Sequence, residues 1–169
     1  MPKAIRAYVR WVDALSRVIG HIAMYLVFAM MGILLYSSFM KSFFIPPLWG
    51  LEMAQFLMVG YYIMGGAWLL QSDNHVRMDL IYSRWTPRTR AAIDAVTVLF
   101  LLFYLGVLLY GGLSSTAYAL EYGERSYSAW RPYMAPIKII MCAGIVLMLL
   151  QTVAVLFKDL ARLRGESLT

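Results

Sequence analysis

Four long apolar runs constrain the fold of this chain more than any other feature of its sequence. A helix needs about 20 apolar residues to cross the hydrocarbon core of a bilayer, and each run is close to that length. The runs cover residues 19–40, 53–70, 91–113 and 139–157. None has the alternating pattern of a membrane β-strand, and 62% hydrophobic against 14% charged residues is too apolar for a soluble domain of this size. The sequence therefore predicts an all-α membrane protein with four transmembrane helices.

The basic residues are divided unevenly between the two ends of these predicted helices. Eleven of the fifteen Lys and Arg residues lie in residues 1–18, in the 71–90 loop or in residues 158–169. The other four are Lys41, Arg125, Arg131 and Lys138. Because basic residues accumulate on the cytoplasmic side of a membrane, we expect both termini and the 71–90 loop in the cytoplasm. The same rule explains the net charge of +6, so we expect no nucleic-acid partner.

The residues ahead of the first run have an amphipathic pattern. Their apolar members recur at helical spacing, at Ile5, Tyr8, Val9, Val12, Leu15 and Ile19. Their charged members share the opposite face, at Arg6, Arg10, Asp13 and Arg17. This pattern predicts a helix at 1–18 that lies in the cytoplasmic interface, with its basic face against anionic membrane lipids. The alternative is a plain extension of the first span. The transmembrane domain then covers 19–157, and a cytoplasmic tail covers 158–169.

The stretch "QSDNHVRMDL", residues 71–80, holds the densest group of ionisable residues. An apolar pattern at i, i+3, i+4 and i+7 follows, which predicts a short interfacial helix over Met78–Trp85. Thr86 and Pro87 then fit the N-cap and first position of the third helix. We expect that helix to run on to Gly123, which suits a C-cap.

The sequence contains no pattern of an enzyme. Glu52 and Asp94 are placed at the starts of predicted helices, where a carboxylate meets the positive end of the helix dipole. The chain has no Gly-rich phosphate loop and no nucleophile with a base and an orienting acid. His21 and His75 could form a haem or metal pair, but nothing else in the sequence supports a cofactor. We therefore expect no catalytic, substrate-binding or metal site, and Cys142 is interpreted as a packing residue.

Two pairs of small residues in the third run are spaced four apart, Gly111 with Ser115 and Gly112 with Thr116. Such pairs let helices approach closely. Their partner is either another helix of this chain or a helix of another chain.

The order of these features resembles the small membrane subunit of TRAP transporters (tripartite ATP-independent periplasmic transporters), the DctQ-like family. In that family a Glu starts the second span and an H-x-R-x-D-like motif follows it, which correspond here to Glu52 and to His75, Arg77 and Asp79. The stretch "YSAWRPYMAPIK", residues 127–138, resembles the branch labelled for mannitol and chloroaromatic compounds. The resemblance extends from about residue 20 to about residue 160.

The resemblance implies a multi-pass protein of the bacterial inner membrane that works in a heteromeric complex. In such a complex a periplasmic substrate-binding protein captures a small organic acid. A large membrane subunit then moves the acid with the energy of a sodium gradient. This chain is expected to brace the large subunit and to help the binding protein dock.

Two sets of residues are candidates for those contacts. The first set, for the large subunit or for fixing the cytoplasmic loop, is Glu52, His75, Arg77, Asp79 and Arg84. The second set, for docking the binding protein, is Glu121, Glu124, Arg125, Trp130 and Arg131. Within the first set, we expect Arg77 and Asp79 to pair with each other, with Arg84 or with the partner subunit. The alternative is a solvated loop surface.

Two other interpretations remain open. One is a stand-alone small transporter of the four-helix multidrug type, which requires a membrane-embedded carboxylate, whereas the middle parts of the predicted spans lack one. The charge bias also argues against the dual orientation of some such proteins. The other is an accessory subunit of a different membrane complex.

Overall fold

The computed structural model describes residues 3–72 and 87–163, most of which lie in four long helices. The helices are α1 (Lys3–Phe43), α2 (Gly50–Gln71), α3 (Pro87–Glu121) and α4 (Ala135–Leu163). Each of them is long and apolar enough to cross a membrane. The predicted all-α architecture with four such helices is therefore confirmed for the described part of the chain.

α1 is one continuous helix of 41 residues. At a rise of 1.5 Å per residue its length is about 60 Å, roughly twice the thickness of a hydrocarbon core. It has no break at residue 19, where the sequence suggested a boundary between an interfacial helix and the first span. This geometry agrees with the alternative of an extended first span, and contact of residues 3–18 with a membrane surface stays a prediction.

The four helices are arranged as a group of three with one helix at its side. α1, α2 and α4 pack against one another, and α3 packs on α4. Gly60 lies near Ile140 and Gly66 lies against Met148, so α2 and α4 run in the same direction. α1 and α3 run the opposite way. The bundle thus has an N-terminal end, where α1 begins, and a hairpin end, where α3 is joined to α4.

One of the two small-residue pairs in α3 packs within the chain. Gly112 is buried, and a Cβ at this position would lie 3.1 Å from the Cys142 sulfur. The Thr116 hydroxyl donates to the Gly112 carbonyl at 2.7 Å and lies 3.3 Å from the same sulfur. Cys142 is therefore a packing residue, as predicted. Gly111 is exposed, with no atom within 4 Å of a Cβ placed there, and it lines an open cleft together with Ser115 and with Met141 of α4.

The two ends of α3 match their sequence signals. The helix begins at Pro87, whose missing N–H is no loss in the first turn. Gly123 follows the other end with a φ of +58°, a conformation that glycine adopts without steric cost. The Glu124 N–H then donates to the Ala119 carbonyl at 3.1 Å. This is the Schellman arrangement, and it turns the chain into the loop before α4.

Most of the apolar surface of these helices is not covered by the chain itself. In the most apolar window of each helix, the share of residues buried inside the bundle ranges from 11% in α1 to 39% in α4. On α3, Phe100 is 71% exposed, Phe103 74% and Tyr110 78%. Surface of this kind requires lipid or another membrane chain to cover it.

Candidate functional site

The loop at the hairpin end, residues 122–134, is held by its own backbone. We call it the periplasmic hairpin, following the predicted orientation. The Ser126 N–H donates to the Pro132 carbonyl at 3.0 Å, and the Met134 N–H donates to the Glu124 carbonyl at 3.0 Å. Arg131 has a φ of 51°, and its N–H donates to the Ser128 hydroxyl oxygen at 3.2 Å. These bonds fix the hairpin as a defined surface.

Two of the five predicted docking residues have partners inside the chain. The Glu124 carboxylate forms a salt bridge with the Lys138 ammonium, which also approaches the Ser115 carbonyl at 3.5 Å. The Arg125 guanidinium lies over the Tyr133 ring, 4.2 Å from its centroid, and donates to its hydroxyl. Both contacts tie the hairpin to itself or to the adjoining helices, so these side chains have a structural role in the hairpin.

The hairpin borders an open cleft of about 310 Å³. Three predicted docking residues line it, namely Glu124, Arg125 and Arg131. Three tyrosines and a glycine also line it, namely Tyr118, Tyr122, Tyr127 and Gly123. Glu121 and Trp130 are on the same loop and helix end but do not line the cleft. The cleft therefore combines charge with tyrosine rings, a composition that suits protein contacts.

The other predicted set is only partly described. Glu52 lies in the first turn of α2 at the hairpin end and is half-buried. Its Oε2 atom is buried and has no hydrogen-bond partner in the described part of the chain. His75, Arg77, Asp79 and Arg84, together with the predicted helix over Met78–Trp85, lie outside the described residues. Their pairing stays a prediction.

A buried polar network joins α1 to α4 near the N-terminal end, and the sequence did not predict it. The Ser16 hydroxyl donates to Gln151 Oε1 at 2.8 Å, and Gln151 Nε2 donates to Asp13 Oδ1 at 2.9 Å. The Lys158 ammonium donates to both Asp13 oxygens, at 3.0 and 2.8 Å. Ser16 and Gln151 are completely buried. The four side chains satisfy one another, as buried polar groups must.

The network lies beside an apolar cluster of the same two helices. Val9 and Val12 of α1 pack with Ala154 of α4, and the Tyr8 hydroxyl donates to the Leu150 carbonyl at 3.0 Å. The apolar face of residues 5–12 is thus covered by α4, whereas an interfacial helix would bury that face in lipid. One signal was available: Ser16 follows Val9 and Val12 at helical spacing, and a polar residue on a buried face needs a partner.

The comparison with known families identifies the chain. Residues 30–162 match the family described as the DctQ component of tripartite ATP-independent periplasmic transporters. The chain belongs to this family. No curated protein and no solved structure gave a match.

Membership in the DctQ family makes the chain a multi-pass membrane subunit of a TRAP transporter and not an enzyme. It also implies a tripartite complex with other TRAP components. The matched range contains both the periplasmic hairpin and Glu52, together with the α4 half of the polar network. The branch within the family stays a prediction.

Proposed function

We propose that this chain braces the large transport subunit of its TRAP transporter and helps a periplasmic substrate-binding protein to dock. The complex is proposed to lie in the bacterial inner membrane with both chain termini in the cytoplasm. It takes up a small organic acid with the energy of a sodium gradient. The substrate itself is selected by the other subunits.

The observation that carries this proposal is the uncovered apolar surface of the bundle. On one side of the bundle, α3 contributes most of this surface. Its Phe100, Phe103 and Tyr110 are each more than 70% exposed. The polar side chains buried between α1 and α4 are bonded to one another near the N-terminal end of the bundle. A brace needs broad contact surface, whereas a carrier needs polar groups near the midplane.

Glu52 supports a contact with the large subunit at the hairpin end. An acceptor atom that is buried without a partner costs about 1–3 kcal/mol. A cationic or N–H group of the large subunit would remove that cost at Glu52 Oε2, which has no partner in the described residues. Assembly of the complex then supplies the partner that the described residues lack.

Co-purification tests the proposal. The chain is tagged, extracted gently from its native membrane and analysed by mass spectrometry for proteins that accompany it. We expect a large polytopic permease in equal amount. Glu52→Gln is expected to lower its recovery, whereas Glu121→Gln, an exposed carboxylate at the same end, serves as the matched control. A chain that is isolated alone and transports a solute in liposomes would refute the bracing role.

A further inference from the structure

A groove runs between α1 and α2 in the half of the bundle nearer the N-terminal end. Its volume is about 140 Å³, and its walls include Gly20, Met24, Tyr61, Gly65 and Trp68. Gly20 is covered, because a Cβ there would lie 2.6 Å from the Trp68 side chain. Gly65 is open, because a Cβ there would meet no atom within 4 Å. The groove is therefore an apolar slot whose floor at Gly65 is unoccupied by the chain.

Basic side chains lead to one end of this groove. Lys3, Arg6, Arg10 and Arg17 are exposed residues of α1. At about 100° per residue they fall within an arc of about 60° on the helix. We call them the basic stripe. His21 continues the same arc, and its ring centroid lies 6.4 Å from that of Trp68 in the groove wall. The stripe thus ends where the groove begins.

The positive charge of the basic stripe is not neutralised within the described residues. The only acidic residue of α1 is Asp13. Its two carboxylate oxygens are bonded to Lys158 and Gln151 of α4. His21 Nδ1 lies 2.7 Å from the Arg17 carbonyl and donates to it, because a carbonyl only accepts. The other ring nitrogen, Nε2, is an acceptor in the neutral ring, so the cation at the end of the stripe is Arg17.

The geometry points to a binding site for an anionic phospholipid, with its phosphate at Arg17 and one acyl chain in the groove along Gly65. Charge complementarity selects the occupant: a cationic mouth that has no acidic partner among the described residues suits a negative headgroup, and the apolar slot behind it suits a hydrocarbon chain. Trp68 stands at the junction, and its indole suits the boundary between headgroup and hydrocarbon. This site does not depend on the proposed docking role.

Lipid titration of the purified full-length chain tests the site. Dioleoyl phosphatidylglycerol and dioleoyl phosphatidylcholine are added separately in detergent, and native mass spectrometry gives the affinity of the first bound lipid. We expect the anionic lipid to bind at least about tenfold more tightly, since each cation near a headgroup contributes roughly a fivefold preference. Equal affinity for the two lipids would overturn the proposal.

Variants with matched controls locate the lipid. Gly65→Leu places a side chain in the groove, where a Cβ meets no atom within 4 Å, and Gly106→Leu on α3 is its control, because a Cβ at Gly106 also meets no atom within 4 Å. Arg17→Gln removes the cation at the mouth, and Lys41→Gln removes an exposed cation from the far end of α1. We expect Gly65→Leu and Arg17→Gln each to weaken phosphatidylglycerol binding about fivefold or more, and the two controls to leave it within twofold.

The main competing occupant of the groove is a side chain or helix of the large subunit. The same Gly65→Leu variant distinguishes it in the co-purification experiment. If Gly65→Leu leaves phosphatidylglycerol binding unchanged and instead lowers recovery of the permease, the groove is a protein contact and the lipid site is wrong. If lipid affinity falls while recovery of the permease is unchanged, the lipid site is supported.

Discussion

At the scale of single residues, Arg131 combines backbone strain with an exposed charge. A non-glycine residue at φ 51° costs about 1–3 kcal/mol, and such residues are concentrated at functional positions. The residue before a proline is restricted further, and Pro132 follows directly. Arg131 also lines the cleft and forms no ion pair in the described residues, unlike Glu124. It is therefore the best single residue for testing the docking surface.

Arg131→Gly is expected to reduce solute uptake and binding-protein affinity several-fold without releasing the large subunit. Glycine tolerates the backbone conformation of this site, so the loss is attributable to the guanidinium. Arg131→Lys keeps the charge and should retain most of the uptake. The measurement is uptake in reconstituted liposomes, together with a binding isotherm for the binding protein.

Lys41→Gln is the control for Arg131→Gly, because it also removes an exposed cation at the hairpin end but lies outside the cleft. Equal uptake by Arg131→Gly and the parent complex would count against docking at the cleft. Charge reversal at Glu124 is a less direct test, because it also breaks the salt bridge with Lys138.

At the scale of helices, the polar network decides how α1 meets α4. Without it, the contact would consist of apolar groups such as Val9, Val12 and Ala154 and the single hydrogen bond of Tyr8, which fix the register less tightly. A set of directional hydrogen bonds permits only one register between α1 and α4. We interpret Gln151 as the central residue, since it accepts from Ser16 and donates to Asp13.

Gln151→Leu is expected to lower the free energy of unfolding by about 1–3 kcal/mol, because it leaves the buried Ser16 hydroxyl without an acceptor and removes one donor from Asp13. The neighbouring Thr152→Val is the control, since that hydroxyl donates only to the Met148 carbonyl of its own helix, at 2.7 Å. Unfolding by SDS, followed by circular dichroism, gives both values. If Thr152→Val lowers the free energy of unfolding as much as Gln151→Leu does, the network has no special role in stability.

The sequence could predict the helices but not their partners. Hydropathy is a local property, so the four runs and the ends of α3 at Pro87 and Gly123 could be read directly. Ser16 and Gln151 are 135 residues apart, and nothing in either run says which helix faces which. The same limit applies at the hairpin. The sequence shows that Glu124 and Arg131 are both charged, but it does not show that Glu124, unlike Arg131, forms a salt bridge among the described residues.

At the scale of the whole molecule, the lengths of the helices and the distribution of charge together predict how the bundle is oriented in the membrane. α1 contains 41 residues and α3 contains 35. At a rise of 1.5 Å per residue their lengths are about 60 and 50 Å, and both exceed the thickness of a hydrocarbon core, about 30 Å. They must tilt or protrude. The basic stripe and the polar network both lie at the N-terminal end of the bundle. The charge bias predicts that this end faces the cytoplasm.

Site-directed labelling tests that orientation. Cys142 is buried, so the parent chain should react little with a membrane-impermeant maleimide and serves as the blank. Tyr127→Cys places a thiol at a fully exposed position of the periplasmic hairpin, and Ala7→Cys places one on the exposed side of α1 without removing a charge. In intact spheroplasts we expect labelling of Tyr127→Cys alone, and labelling of Ala7→Cys only after the membrane is opened.

The outcomes of the labelling experiment separate the competing functions. The reverse pattern would show that the bundle is inverted and that the hairpin cannot meet a periplasmic binding protein. Equal labelling of Tyr127→Cys and Ala7→Cys in intact spheroplasts would show two populations of opposite orientation. A brace for one large subunit requires a single orientation, because its contact surfaces are not symmetric, whereas a dual-orientation multidrug transporter does not. A single orientation with the hairpin outside is therefore the result that the bracing and docking role demands.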